Sequence, residues 1–327
     1  MTPEGAGAEA PHYVVERVRD AIARAPDVNE LDIRVTVVGG KVFIAGTVAT
    51  PERREAITDI MGGLLPGYDV QNETDVLTLG DAQDIDGEAS IRLAAVGDMH
   101  FGVESAGMMD PWLEQLSAEA DVLVIAGDLT KCGDPEEARV AARELHSLPI
   151  PKVAVLGNHD YHFGKEHAVA EHLEEAGIRV LEGSSVVLRV RNLALGIAGV
   201  KGFGGGFPGA CGSDFGEPEM KAFITQTKHA AKRLEDALAS LDGSVTARVA
   251  LLHYAPVRGT LLGERPEIYP FLGSYLLAEP LDRLGVDLVI HGHAHAGVEK
   301  GVTPGGIPVR NVAQPVIRAP YRLYALG

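Results

Sequence analysis

Apolar residues in the last two-thirds of the chain come in short runs, at residues 91–96, 122–126, 153–156, 249–252 and 288–290, interrupted only by Arg92. Short runs of aliphatic and β-branched residues, closed off by glycine and polar groups, predict buried strands. Between them, residues 135–148 and 220–241 space their apolar positions as helices do. Strands alternating with helices predict sheets with helix-covered faces. Residues 186–200 break that alternation with strand-like runs and no long helix, so the sheets are expected to be mixed. The expected fold class is α/β, a four-layer α/β/β/α sandwich.

The earlier part of the chain carries a different pattern. Val14, Val15, Val18, Ile22 and Ala23 recur at helical spacing over residues 12–26. Alternating β-branched runs at 32–38 and 41–48 flank Gly39-Gly40, which supplies the positive φ of a primed hairpin turn. Thr50 offers an N-cap with Pro51 at the first helical position, opening a helix through Arg53, Ile57 and Ile60 toward Gly62 or Pro66. A last strand is expected over 75–79. Residues 80–90 are acidic and aperiodic and read as a linker, and the spacing of their Asp residues does not match a calcium loop. The expected organisation is a disordered tail at 1–10, a small αββαβ domain at 11–79, the linker at 80–90 and a larger domain at 91–327.

Composition narrows the class. The chain has 327 residues, 46% hydrophobic and 23% charged, as a multi-domain globular protein would. Its formal net charge of -17 argues against a protein built to grip nucleic-acid phosphates. Cys132 and Cys211 are too few for a disulfide framework and read as reduced thiols. The first eleven residues lack a secretory pattern, and no run is long enough to span a bilayer, so a soluble, cytoplasmic protein is expected.

The chemistry sits where the strands stop. Residues 91–96 lead into Gly97-Asp98-Met99-His100, 122–126 into Gly127-Asp128, 153–156 into Gly157-Asn158-His159-Asp160, 249–252 into His253, and 288–290 into His291-Gly292-His293-Ala294-His295. Ligand sites of open α/β sheets lie at such carboxyl ends. Any one cluster also fits a bland reading, since Asn and Asp make turns and a lone His can end an apolar strand as a core side chain. Together, carboxylate, amide and imidazole suit divalent ions of intermediate hardness such as Mn, Fe or Zn. So many donors would serve two ions bridged by one carboxylate. His293 and His295 alternate and point the same way in an extended segment. His291 is in phase too and reads as supporting or structural. His162 reads equally as pocket-lining or exposed, and Cys132 lies in the loop after Asp128.

The ordered set Asp-x-His, Gly-Asp, Gly-Asn-His-Asp, His, Gly-His-x-His resembles the calcineurin-like metallophosphoesterase superfamily over about residues 91–327. The resemblance implies that Asp98, His100 and His295 hold one metal, that Asn158, His253 and His293 hold the other, and that Asp128 bridges them. It further implies that His159 is the acid or charge-stabilising group near the leaving oxygen, that Asp160 orients the His159 imidazole, and that a metal-bound hydroxide attacks phosphorus in line. The motif order is similar to that of class III cyclic nucleotide phosphodiesterases, which favours phosphodiester substrates over phosphomonoesters or phosphoproteins. A metal-binding scaffold is the non-enzymatic alternative. The pattern Val-x-Val-x-x-Gly-x-Val-x-Ile-x-Gly-x-Val from Val35 to Val48, followed by a helix opened by Thr-Pro-Glu, resembles the BON domain over about residues 11–79. That resemblance implies a lipid- or protein-docking module.

Two further stretches complete the reading. Gly204, Gly206 and Gly209 match a dinucleotide fingerprint formally, but Pro208 and the residues after it open no helix. Residues 202–209 read instead as a mobile loop near the site, with Phe203 and Phe207 as substrate contacts. Residues 258–275 read either as a rim over the metals, with an Arg such as Arg258 holding a phosphate oxygen or a carboxylate, or as a surface loop.

Overall fold

The structure is a computed structural model that describes residues 10–30, 33–78, 90–241 and 243–327. The chain divides into two compact units between Thr78 and Leu79. The tail expected over 1–10 and the linker expected over 80–90 fall, apart from Ala10 and Ser90, outside the described residues.

The smaller unit runs α1 (Pro11–Arg24), β1 (Arg34–Val38), β2 (Lys41–Val48), α2 (Pro51–Leu64) and β3 (Asp69–Val76). Gly39 and Gly40 hold φ of 56° and 81°, so β1 turns back on β2 with Val38 opposite Lys41. Thr50 caps α2, its hydroxyl accepting from the Arg53 amide at 3.4 Å. Val14, Val18 and Ile22 of α1 join Ile57 and Met61 of α2 over Val35, Val42 and Ile44 of the sheet. The last strand differs from expectation: it occupies Asp69–Val76, parallel to β2, rather than 75–79. Two of its half-buried or buried positions are polar, which hid the period. Asn72 donates to the Arg54 carbonyl at 2.8 Å and accepts from the Thr74 hydroxyl at 2.7 Å, so burial there is satisfied by hydrogen bonds rather than by apolar contact.

The larger unit begins β4 (Ile91–Val96), α3 (Asp110–Glu119), β5 (Val122–Ala126), α4 (Pro135–His146), β6 (Lys152–Val155), α5 (Glu166–Glu175) and β7 (Ile178–Val180). It continues with β8 (Ser184–Val190), β9 (Leu193–Val200), a hairpin of β10 (Gly206–Phe207) and β11 (Ala210–Cys211), α6 (Pro218–Ala239) and β12 (Ala247–Leu252). It ends with α7 (Tyr269–Leu272), α8 (Ala278–Leu284), β13 (Leu288–His291), β14 (Lys300–Val302), β15 (Pro308–Asn311), α9 (Gln314–Ile317) and β16 (Arg322–Leu326).

One sheet has the order β16-β4-β5-β6-β7 and the other β14-β15-β13-β12-β9-β8. Both are mixed: the centres are parallel, while β16, β14 and β8 pair antiparallel. Alternation along β12 shows how the layers stack. Val249 and Leu251 join the core shared with Leu93, Ile125 and Val155 of the other sheet, whereas Ala250 and Leu252 join Leu234 and Leu238 of α6 and Leu281 of α8. Helices α4 and α5 cover the first sheet through Leu145 and Leu173. The result is the four-layer α/β/β/α sandwich, with β4, β5, β6, β12 and β13 ending at the same edge.

Candidate metal centre

The loops at those strand ends are stitched together by backbone. The Asp98 amide donates to the Gly127 carbonyl and the His100 amide to the Asp128 carbonyl, both at 3.0 Å. Asp98, His100, Asp128 and His293 hold φ of 59°, 46°, 50° and 70°, four of the seven non-glycine residues with positive φ among the described residues. Such conformations cost free energy for L-residues and gather where surrounding structure and function over-determine them. Their concentration here marks a built site rather than a set of turns. Glycine is equally required: a side chain at Gly157 would collide with the Asp128 carboxylate, and one at Gly292 with the Asp98 carboxylate.

Three overlapping groups, Asp98/His100/His295, His100/Asp128/His159 and Asp128/His253/His293, each place their donor atoms within 4.8 Å of one another. The His295 Nε2 lies 2.9 Å from Asp98 Oδ1, and the His253 Nε2 lies 3.4 Å from Asp128 Oδ2 and 2.8 Å from Asn158 Oδ1. His100 and His159 each place Nε2 3.9 Å from Asp128 Oδ2. Asp128 is thus the carboxylate common to two groups.

Backbone carbonyls set the imidazole tautomers, because a carbonyl only accepts. His253 donates from Nδ1 to the Ala126 carbonyl at 2.8 Å, and His159 from Nδ1 to the Lys131 carbonyl at 2.7 Å, leaving both Nε2 lone pairs facing Asp128. His293 donates from Nε2 to the Phe271 carbonyl at 3.2 Å, which leaves Nδ1 as the nitrogen that could face a metal. A hydrogen-bonded second nitrogen is how ligating histidines are commonly held.

Electrostatics point the same way. Burial pushes the Asp98 carboxyl up, but the charge and hydrogen bond of His295, with His253 beside it and the His293 amide, bring it down to about 2. Asp128 lies well above the usual carboxylate range because of burial and repulsion from Asp98 and Asp160. Burial holds His159 down to about 4 and His253 well below its ordinary value. Neutral imidazoles with lone pairs, facing crowded buried carboxylates, form a donor set that divalent cations satisfy.

One expected role is corrected. Asp160 does not touch the His159 imidazole. Its carboxylate accepts from the amides of Gly157 (2.8 Å), Thr130 (2.8 Å) and Leu129 (3.3 Å) and from the Thr130 hydroxyl (2.6 Å). It braces the loop after β5 against the turn after β6, while the Lys131 carbonyl orients His159.

The remaining candidates fall outside the cluster. His291 is fully buried between the Gly292 carbonyl (2.7 Å) and the Thr260 hydroxyl (2.8 Å), a structural position. His162 is exposed. Both cysteines are free; Cys132 donates to Glu137 at 3.2 Å, and burial pushes its thiol up to about 12. Residues 202–209 are tied down rather than loose: Gly205 and Gly206 donate to the carbonyls of Pro270 (2.6 Å) and Gly273 (2.9 Å), and Phe207 is buried edge-on to Tyr269. The 258–275 segment does reach the centre, through Phe271 on His293. Its Arg258 stacks 5.5 Å above Tyr269 and lines, with Phe207 and Tyr275, a cavity of about 1050 Å³ that contains none of the ligand residues. Sequence reasoning passed over Lys201, although the apolar run Leu193–Val200 ends on it much as the others end on Asp, Asn and His.

A two-sheet sandwich with a carboxylate-imidazole centre along its strand ends defines a metal-dependent hydrolase class. The profile of the calcineurin-like phosphoesterases matches residues 91–297, and the chain belongs to that family of metal-dependent phosphoester hydrolases. The BON domain profile matches residues 13–78. An uncharacterized metallophosphoesterase of Aquifex aeolicus is 35% identical over 117 residues, 34% of this chain and 42% of that protein. The glycerophosphodiester phosphodiesterase GpdQ of Enterobacter lignolyticus is 35% identical over 80 residues, 21% of this chain and 29% of that protein. The chain thus spans less than half the length of the curated relatives it matches. Among solved structures, the phosphopantetheinyl hydrolase PptH of Mycobacterium tuberculosis superposes with a TM-score of 0.54 at 17% identity, over 73% of this chain and 97% of that one, a likeness of fold. No described helix is long and apolar enough to cross a membrane.

Proposed function

We propose that the larger unit, residues 91–327, is a dinuclear phosphodiesterase. Asp98, His100 and His295 hold one divalent ion, Asn158, His253 and His293 hold the other, and Asp128 is shared. The observation that carries this reading is the overlap of three ligand groups on Asp128 and His100. Two ions, when bound, supply positive charge to the phosphoryl oxygens and lower the pKa of nearby water. The protein's part is to fix that charge in place: the Ala126 and Lys131 carbonyls aim His253 and His159, and Asp160 clamps the loops that carry Asp128 and Asn158. His159, its Nε2 3.9 Å from Asp128, carries no proton on that nitrogen while neutral; once it takes one up with the bound ester it would give it to the departing oxygen, where charge grows.

A diester preference draws support from the glycerophosphodiester phosphodiesterase among the relatives. Cyclic nucleotides are the first diesters to try, Mn and Fe the first metals, and the smaller unit is read as a lipid- or protein-docking module in a cytoplasmic protein. Purified Mn-loaded protein is expected to hydrolyse bis-p-nitrophenyl phosphate faster than p-nitrophenyl phosphate, and His253→Ala to abolish both. A faster monoester reaction would make the protein a phosphomonoesterase, and no turnover with any divalent metal would leave a scaffold.

A further inference from the structure

Val200 of β9 pairs in parallel register with Leu252 of β12, so Lys201 and His253 follow side by side at the ends of the two strands. Positions in register send their side chains to the same face of a sheet, and the His253 amide donates to the Lys201 carbonyl at 3.0 Å. Lys201 therefore shares the face from which His253 enters the metal centre.

Its side chain is 7% exposed, yet no ion pair or side-chain hydrogen bond among the described residues involves its ammonium. Glu182, the carboxylate whose charge acts on the ammonium most, accepts from the Lys201 backbone amide at 3.1 Å and pairs its other oxygen with Arg233 at 2.8 Å. Three rings surround the ammonium instead: Tyr161 at 4.7 Å, Phe203 at 5.2 Å and Tyr254 at 5.3 Å. Two of them are extensions of the centre. Tyr161 closes the turn that begins at His159, and Tyr254 follows His253 and lies 4.4 Å from the His293 ring. Cation–π contact holds an ammonium in position but satisfies none of its three N–H donors. A largely buried lysine whose ammonium keeps its donors for water or a ligand, fixed beside a centre read as a phosphate-ester site, has the chemistry of an anion receptor.

We propose that Lys201, boxed by Tyr161, Phe203 and Tyr254, binds an oxygen of the phosphoryl group held at the metal centre, on its His253 side. This rests on reading the centre as a phosphoester site, and the ligand class is a phosphate oxyanion. Packing alone would be met equally well by an unbranched apolar chain, which supplies the test.

Inorganic phosphate is titrated calorimetrically into the Mn-loaded full chain, for wild type, Lys201→Met and Lys201→Arg, with bound Mn counted in each. The expected result is a loss of phosphate affinity of about tenfold or more in Lys201→Met, most of it recovered in Lys201→Arg, with Mn content unchanged. Wild-type phosphate affinity in Lys201→Met overturns the proposal, as does loss of Mn together with phosphate. Lys201→Gln carries the same comparison where Lys201→Met does not fold. Phosphate binding that depends on Lys201 in a protein that hydrolyses no ester keeps this proposal and removes the hydrolase reading. Full hydrolysis with phosphate binding indifferent to Lys201 does the reverse.

Discussion

His253 Nδ1 donates to the Ala126 carbonyl at 2.8 Å, so a side chain from one sheet is aimed by the last residue of a strand in the other. The next residue, Gly127, has φ +86°, and a Cβ there would press into the His253 ring. Gly127→Ala is expected to turn the imidazole away and lower bound Mn from two ions to one. The strain should cost about 1–3 kcal/mol, a fall in Tm of roughly 2–4 °C per kcal/mol for a unit of this size. Metal analysis alongside thermal unfolding checks it, and two Mn ions retained would show that His253 does not need this aim.

Asp160→Asn tests the brace. Its carboxylate receives four donors, and an amide can accept on only one oxygen, so an NH2 would face N–H or O–H groups. A destabilisation of about 2–3 kcal/mol is expected, together with weaker Mn binding, since Asp128 and Asn158 lie on the two braced loops. An effect on turnover alone, with Tm and metal affinity unchanged, would restore Asp160 to the side of His159.

His159→Ala separates acid from ligand. If His159 serves the leaving oxygen, both Mn ions stay and kcat on a diester with an alkyl leaving group falls about 10²–10⁴-fold. The fall should shrink for esters of more acidic alcohols, whose leaving oxygen needs less help. A drop in Mn content would make His159 a ligand, as its place in the His100/Asp128 group allows.

Mn affinity of the metal-free protein should rise with pH, and a carboxyl proton should be among those released. Asp128 is held above the usual carboxylate range by burial and by Asp98 and Asp160, so part of it is protonated at mildly acidic pH and must ionise as the metal binds. Burial holds His159 near 4 and His253 well below its ordinary value, so both are neutral at mildly acidic pH and release nothing. Calorimetry in buffers of different ionisation enthalpy counts the protons released. Asp128→Asn should lower the proton count, and an unchanged count in that variant would refute the assignment.

The apolar runs made the sandwich legible because strands buried on both faces need no period to be found: β4, β5, β12 and β13 announce themselves by composition. Helices α3 and α5 were not recognisable, because each buries few side chains, Leu116 alone in α3 and Val169 and Leu173 in α5. Strands β14, β15 and β16 are short and half exposed, and β3 hides its burial behind Asn72 and Thr74. Ligand-type residues could be nominated because each sits one to five positions past a strand. Which carboxylate or carbonyl aims which imidazole was not, because Lys131 and Ala126 act through backbone oxygens that no side-chain pattern records. Lys201 escaped for a related reason, since a lysine ending a strand looks like a solvated cap until three rings close around it.

The donors are divided between the two layers. Asp98, His100, Asp128, Asn158 and His159 follow strands of the first sheet, and His253, His293 and His295 follow strands of the second. On the proposed assignment each ion draws donors from both layers, so docking of the sheets completes both sites. Ions bound there would tie the two layers together and slow their parting once both are in place.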